Sequence, residues 1–296
     1  MSEPLSGGPA PGPSASSPGG IPSISSLRRL AEDAARAAGA KIRATVRAES
    51  PVELISAHDV KLGLDRACEQ IILRVIRSAC PGFGVLSEEL GYDPGREPFL
   101  WIVDPLDGTV NFHHGLPFYC VSVACHAVEE SDDGTAHVLP DGRRLGPALV
   151  GVVYDPLRDE LFSGATGRGA FLNQAPLHAP EGGRLQEAVV ALSFGAGEES
   201  IAFMGRALPL FIRSARKVRS FGSTALDIVQ VAAGRIGAFL QVGTNLWDFA
   251  GAVTVLRAAG GVVEVREYAP GRFRIIAGTA GLFEEVRGLA GEIPTT

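Results

Sequence analysis

Apolar and polar positions along the 296-residue chain follow two rhythms. Up to about residue 80 the spacing is helical. Leu27, Leu30, Ala31, Ala34, Ala35 and Ala38 form one stripe and predict a helix from Ser25 or Ser26 to about Val46. Leu62, Ile71, Ile72, Val75 and Ile76 predict a second, beginning near His58 and Asp59, with Asp59 placed as its N-cap, and running to about Ala79. Short apolar runs then take over, and strands are expected over 82–86, 99–103, 118–128, 148–154, 160–163 and 169–172. After Pro180 strand and helix alternate: strands over 188–194, 218–221, 236–242 and 261–265, helices over 200–212, 223–233 and 248–259. That alternation indicates a sheet sandwiched by helices rather than a helix bundle. Residues 1–23 are rich in Pro, Gly and Ser and read as a disordered tail. Two halves, 24–182 and 183–296, are expected to share one cleft, and the acidic stretch 129–144, with Asp-Gly twice, to form a long exposed hairpin arm.

Composition narrows the classes. With 46% hydrophobic and 20% charged residues the chain reads as an ordinary globular protein, and no apolar run approaches the ~20 residues that span a bilayer. The first 23 residues lack the basic start and apolar core of a secretory signal. A formal charge of −6 argues against nonspecific binding of nucleic acid polymers. The four cysteines show no zinc-type spacing, and Cys120 and Cys125, an odd number apart on one expected strand, point to opposite faces and cannot pair. Buried free thiols in a reducing cytoplasm are the expectation. The histidines show no ligand spacing and are taken as structural or surface residues.

The candidate chemistry centres on FLWIVDPLDGTVNF, from Phe99 to Phe112. Five apolar residues deliver Asp104 and Asp107, separated by Pro105 and Leu106, to a turn at Gly108 and Thr109. Taken alone, Asp-Pro-Leu-Asp-Gly is also an ordinary β-turn. A turn, however, requires neither a buried strand nor a second acid, and two neighbouring anions repel unless a cation lies between them. Magnesium suits that place, since it takes oxygen ligands and is held by one or two carboxylates with substrate phosphate. Gly108 allows close backbone approach, and the amides of Gly108 and Thr109 would open a short helix able to meet a phosphate. Three further segments carry the same double reading. Ser87-Glu88-Glu89 follows a brief strand, as a solvated loop or a ligand segment. Arg219 to Asp227 is a helix start or a loop presenting Gly222, Ser223 and Thr224 to a polyol or phosphate. Thr244 to Gly251 places Asp248 at a helix mouth, as a cap or a ligand.

Together these segments resemble the inositol monophosphatase family, the metal-dependent, lithium-sensitive phosphomonoesterases. The resemblance spans about residues 27–290 and rests on WIVDPLDGTVNF and NLWDFAGAVTVLRAAGGVV, with PVELISAHD, VLSEE, RSFGSTA and GVVYDPLRDELFSGATGRGAFLN around them. It implies the α/β, layered αβαβα sandwich of the inositol monophosphatase and sugar phosphatase type, usually a homodimer. It also implies that Glu88, Asp104, Asp107, Asp248 and the carbonyl of Leu106 hold Mg2+, with Asp104 bridging two ions. Asp59, Glu88 and Thr109 would be catalytic, Asp59 and Thr109 together orienting or deprotonating the attacking water. Asp107, Gly108, Thr109, Gly222, Ser223, Thr224, Gln241 and Asp248 would meet the substrate.

The implied reaction is hydrolysis of a small phosphate monoester by direct attack of metal-activated water, with inositol 1-phosphate as leading substrate. Histidinol phosphate, fructose 1,6-bisphosphate and 3′-phosphoadenosine 5′-phosphate are the alternatives within the class, and an idle binding or regulatory relative is the alternative outside it. Two positions depart from the inositol-specific pattern: Gln241 stands where a glutamate is typical, and Thr224 where a smaller residue is common.

Overall fold

A computed structural model describes residues 22–45, 52–55, 60–130, 137–195 and 197–291, with backbone alone at 52–55 and 60–62. Helix α1, Ile24–Ala44, is capped by Ser23, whose hydroxyl accepts the Ser26 amide proton at 3.1 Å. Its stripe of Leu27, Ala31, Ala34, Ala35, Ala38 and Ile42 is buried. Strands β1 (Val52–Ile55) and β2 (Val60–Leu62) pair antiparallel, and α2 follows at Gly63–Ala79. The second helix therefore starts later than its apolar stripe suggested: cross-strand pairing takes 60–62, and Asp59, outside the described residues, precedes the helix by four positions.

The chain continues through β3 (Gly84–Ser87), β4 (Gly91–Asp93), β5 (Phe99–Asp107), α3 (Thr109–His114), β6 (Cys120–Glu129), β7 (Arg144–Asp155), β8 (Glu160–Ala165), β9 (Gly169–Leu172) and β10 (Ala175–Leu177). There follow β11 (Val189–Phe194), α4 (Glu198–Ser214), β12 (Lys217–Arg219), α5 (Thr224–Ala232), β13 (Ala238–Thr244), α6 (Leu246–Ala258), β14 (Val262–Ala269), β15 (Arg272–Gly278) and α7 (Phe283–Ala290). The short β4 and β10, and the closing β15 and α7, were not anticipated from sequence. One sheet has eight strands in the order β10-β9-β8-β7-β6-β5-β3-β4, the other five in the order β12-β11-β13-β15-β14.

Three apolar clusters stack these elements into an α/β sandwich of five layers. Helices α1 and α2 cover one face of the large sheet, meeting Trp101, Val103, Val121, Val123 and Cys125. The opposite face, with Leu100, Ile102, Cys120 and Ala124, packs on α5 and α6, which rest on Phe239, Phe273 and Ile275 of the small sheet. Helices α4 and α7 close its outer face. The odd spacing of Cys120 and Cys125 does place them in different layers. Every residue of α5 is buried, because a helix between two sheets has no solvent face. The 129–144 arm is exposed at most of its described positions, as expected, with Leu139 the exception. Residues 131–136 lie outside the described set, but Leu139 is only 2% exposed and joins the central cluster, and His137 Nδ1 lies 2.8 Å from Glu267 Oε2 on β14. Among the described residues no helix is long and apolar enough to cross a membrane.

Helix α6 reaches its place through glycines. A Cβ on Gly151 of β7 would fall 2.3 Å from the Gly251 carbonyl oxygen, and one on Gly251 would fall 2.7 Å from Ser122 Oγ. Side chains at this seam would lift α6, and with it Asp248 in its first turn, off the large sheet. Gly151→Ala should therefore destabilise the fold by about 1–3 kcal/mol, read as a lower urea midpoint at unchanged slope.

Candidate active site

Strand β5 brings two acids to one side by an irregularity in its ladder. Asp104 pairs with Ser122 and Asp107 with Cys120, so three steps on β5 oppose two on β6. In a regular strand, residues three apart point to opposite faces. The extra residue of this bulge turns Asp107 back beside Asp104, and Pro105, with no amide proton to give a ladder, lies within it. Gly108 then adopts φ +92° and starts α3; a Cβ there would stand 2.9 Å from the Phe118 carbonyl.

Glu88, Asp104, Leu106, Asp107, Gly108, Thr109, Gly222, Thr224 and Asp248 line one cleft of about 230 Å³. Of the residues singled out from sequence, two stand behind its wall. Ser223 is buried and donates to Asp107 Oδ2 at 2.6 Å, while Gln241 is buried and accepts from Thr224 Oγ1 at 2.7 Å. Asp59 lies outside the described residues. The acid beside Thr109 is Asp65, 2% exposed: Thr109 Oγ1 lies 3.2 Å from Asp65 Oδ1 and 2.9 Å from the Leu106 carbonyl. Asp65 was missed because a helix drawn from residue 58 places it well inside, whereas in α2 it falls in the first turn.

A second missed acid, Glu69, is also buried. Its Oε1 accepts from Ser87 Oγ at 2.6 Å and from the amides of Glu89 and Leu90 at 3.2 and 3.0 Å, which fixes the turn presenting Glu88. Two acids one helical turn apart on the buried side of an amphipathic helix were the available signal.

Each carboxylate is held by donors on one side. Asp107 receives Ser223 Oγ and the amides of Thr224 (3.3 Å) and Ala225 (2.7 Å), so it caps α5 from a distant strand. Asp248 Oδ2 receives Thr244 Oγ1 at 2.7 Å and the Asn245 amide at 2.8 Å, within a capping box whose N-cap is Asn245. Asp104 Oδ1 receives the Leu106 amide at 3.0 Å. Burial, then repulsion from Glu88, Asp107 and Asp248, raises the Asp104 carboxyl well above its ordinary value. Burial pushes Asp107 up to about 7 against the opposing pull of Ser223. Asp248 is raised by burial as well, and the Cys120 thiol, 3.7 Å from Asp107 Oδ2, is held protonated.

Among the described residues no three carboxylate, imidazole or thiol groups already form a closed ligand cluster. The donor set nevertheless suits a hard divalent cation. Among the described residues it is all oxygen, carries four acids and has no lysine or arginine on its wall, and Asp104 Oδ2 and Asp248 Oδ1 have no hydrogen-bond donor.

A family model described as the inositol monophosphatase family matches residues 23–131 and 145–285. The chain belongs to the inositol monophosphatase family. An inositol-1-monophosphatase of Synechocystis is 33% identical over 246 residues, covering 81% of this chain and 79% of that protein. A Nus factor SuhB of Pasteurella multocida is 35% identical over 212 residues, covering 71% and 73%. The crystal structure of the extragenic suppressor protein suhB of Bartonella henselae superposes with a TM-score of 0.77 at 29% identity, covering 90% of this chain and 98% of that one. Family membership makes the chain a phosphatase, a hydrolase of phosphoric monoesters.

Two predictions follow from the geometry of the acids. Glu69→Ala would strand three donors and should cost about 1–3 kcal/mol in urea unfolding, with weaker Mg2+ binding in calorimetry. Raised carboxyl values mean that the folded state keeps protons the unfolded chain has lost, so this contribution to stability falls as pH rises through the Asp107 value. The chelator-treated protein should show a falling Tm from pH 6 to 8, and Mg2+ should restore it at pH 8.

Proposed function

We propose that the protein hydrolyses a small phosphorylated polyol or sugar with Mg2+, inositol 1-phosphate being the leading substrate. The single observation carrying this reading is the convergence of Glu88, Asp104, Asp107 and Asp248 on one small cleft where their repulsion demands a cation. Glu88, the free oxygens of Asp104 and Asp248, Asp107 and the Leu106 carbonyl would hold the metal. When bound, the metal would neutralise phosphoryl charge and make water more acidic.

The chain's own groups supply the remainder. Thr109 has its hydroxyl proton directed toward Asp65 and the Leu106 carbonyl, which leaves an oxygen lone pair to accept a proton from water in the cleft. Asp65 thus supports the reading first given to Asp59, as the acid behind Thr109. The Gly108 and Thr109 amides, at the start of α3, lie where phosphoryl oxygens would be held.

Asn111 Nδ2 donates to the carbonyls of both Phe118 and Phe221 at 2.7 Å, tying the loop of Gly222 to the helix after Asp107. Gln241 would act on the substrate through Thr224, its acceptor oxygen setting the direction of the Thr224 hydroxyl. By family resemblance the reading includes lithium sensitivity, a homodimer and a cytoplasmic site. The name Nus factor borne by the Pasteurella relative keeps a binding or regulatory role as the second reading.

A panel of inositol 1-phosphate, histidinol phosphate, fructose 1,6-bisphosphate and 3′-phosphoadenosine 5′-phosphate tests both readings through phosphate release with and without Mg2+ and Li+. Inositol phosphate should lead in kcat/KM, and Asp104→Asn should lose at least about a hundredfold while melting as a folded protein. Full turnover in chelator, or by the Asp104→Asn protein, would sink the metal assignment, and inositol phosphate ranking last would sink the substrate.

A further inference from the structure

The tip of the β14–β15 hairpin reaches the wall of the acid cleft. Antiparallel pairing sets Thr244 of β13 opposite Phe273 of β15, after a register shift between Val242 and Thr244, so the next residues outward are Asn245 and Arg272. Asn245 lines the cleft beside Asp248, and its Oδ1 accepts a hydrogen bond from Arg272 Nη1 at 3.1 Å. The Asn245 amide in turn donates to Asp248 Oδ2 at 2.8 Å. One residue therefore separates the guanidinium from an acid of the cleft.

The hairpin tip is itself held in place. Gly271 adopts φ +68°, and its amide donates to Glu267 Oε1 at 2.7 Å. Glu267 Oε2 lies 2.8 Å from His137 Nδ1, so that carboxylate is engaged at both oxygens. Arg272 is exposed and, among the described residues, has no carboxylate within salt-bridge distance. Other arginines nearby are committed: Arg66 lies 3.6 Å from Glu89 Oε2, and Arg274 lies 2.6 Å from Glu264 Oε1. Bracing Asn245 needs a hydrogen-bond donor and no positive charge. The charge of Arg272 is left without a structural use.

The cleft has a use for it. When ionised, its four acids keep two negative charges against one divalent ion, and a phosphate monoester brings about −1.5 to −2 more. We propose that Arg272 is the substrate-recruiting cation of this site: set behind Asn245, its charge draws the phosphate ester to the acid cleft and holds it there, without entering the bond-breaking step. Across so short a path, at a partly desolvated rim, one unit charge changes the affinity for an anion by about tenfold. The same charge opposes a bound Mg2+, so its removal acts in opposite directions on cation and anion. This assignment deepens the phosphatase reading of the cleft and rests on it.

Calorimetry on the full-length protein measures inorganic phosphate binding with Mg2+ saturating, and Mg2+ binding without phosphate; kcat and KM are read with an ester of the panel that is hydrolysed. Arg272→Gln keeps a donor for Asn245 and removes the charge. It should weaken phosphate binding and raise KM about tenfold, with kcat within about twofold and Mg2+ bound at least as tightly. Arg272→Lys should keep phosphate affinity within about threefold. Arg266→Gln makes the same charge change on β14, at the separate cavity along α6, and should leave both affinities nearly unchanged. A residue that merely braced Asn245 would, on removal, loosen Asp248, weaken Mg2+ and phosphate together and lower kcat. Thermal melting verifies that each variant is folded. Unchanged phosphate affinity in folded Arg272→Gln, a parallel loss of Mg2+ affinity, or an equal effect in Arg266→Gln would overturn the proposal, as would a wild-type protein that binds no phosphate with Mg2+ present. Absence of turnover on every ester, with the calorimetric pattern intact, would overturn the phosphatase reading while upholding Arg272 as the anion-recruiting residue.

Discussion

Crowding of like charge governs this structure. Glu88, Asp104, Asp107 and Asp248 come from three separate places in the chain and share one cleft with no lysine or arginine on its wall among the described residues. Desolvating one carboxylate is costly, and each added neighbour raises the cost of ionising the rest. The surrounding architecture offsets that cost with donors. Asp107 rests on the free amides of α5, Asp248 closes a capping box, and Asp104 receives the amide of Leu106. These contacts hold the acids apart from one another and leave oxygens turned to the cleft, an arrangement suited to a cation.

The sandwich exists to deliver these groups with little freedom. The β5 bulge sets the spacing of Asp104 and Asp107, and Glu69, buried under the Ser87–Leu90 turn, sets Glu88. The glycine seam presses α6 onto β6 and β7, which fixes Asp248 against acids of the other sheet. Because α5 and α6 pack between both sheets, residues on either side of position 183 form one continuous apolar cluster, and the cleft opens where their ends meet. Packing of this density transmits small displacements, so substitutions remote from the acids act on the same chemistry.

A second cavity runs along α6 from Leu246 to Arg257. Its lining mixes apolar side chains such as Leu246 and Val253 with Arg257, Arg266 and Glu267. One helix thus borders an acidic cleft at its first turn and a second, mixed cavity along its length.

The layered fold was legible in the chain because period and punctuation are local: the stripe of α1, the doubly buried run of β5 and the strand-helix alternation after Pro180 need no tertiary information. The acids at 88, 104, 107 and 248 stood out for the same reason, each following an apolar strand or opening an apolar helix. Asp65 and Glu69 did not, since their burial depends on where α2 begins, and that was decided by the pairing of β1 with β2. Leu139 turned inward because an apolar cluster was there to receive it, which no pattern in an acidic arm reveals. The place of Gln241 behind Thr224 is likewise a matter of sheet register. Sequence determined which segments become helix or strand and which carry acid, whereas only the packed structure decided which acids face one another, because that distance is set by contacts between residues far apart in the chain.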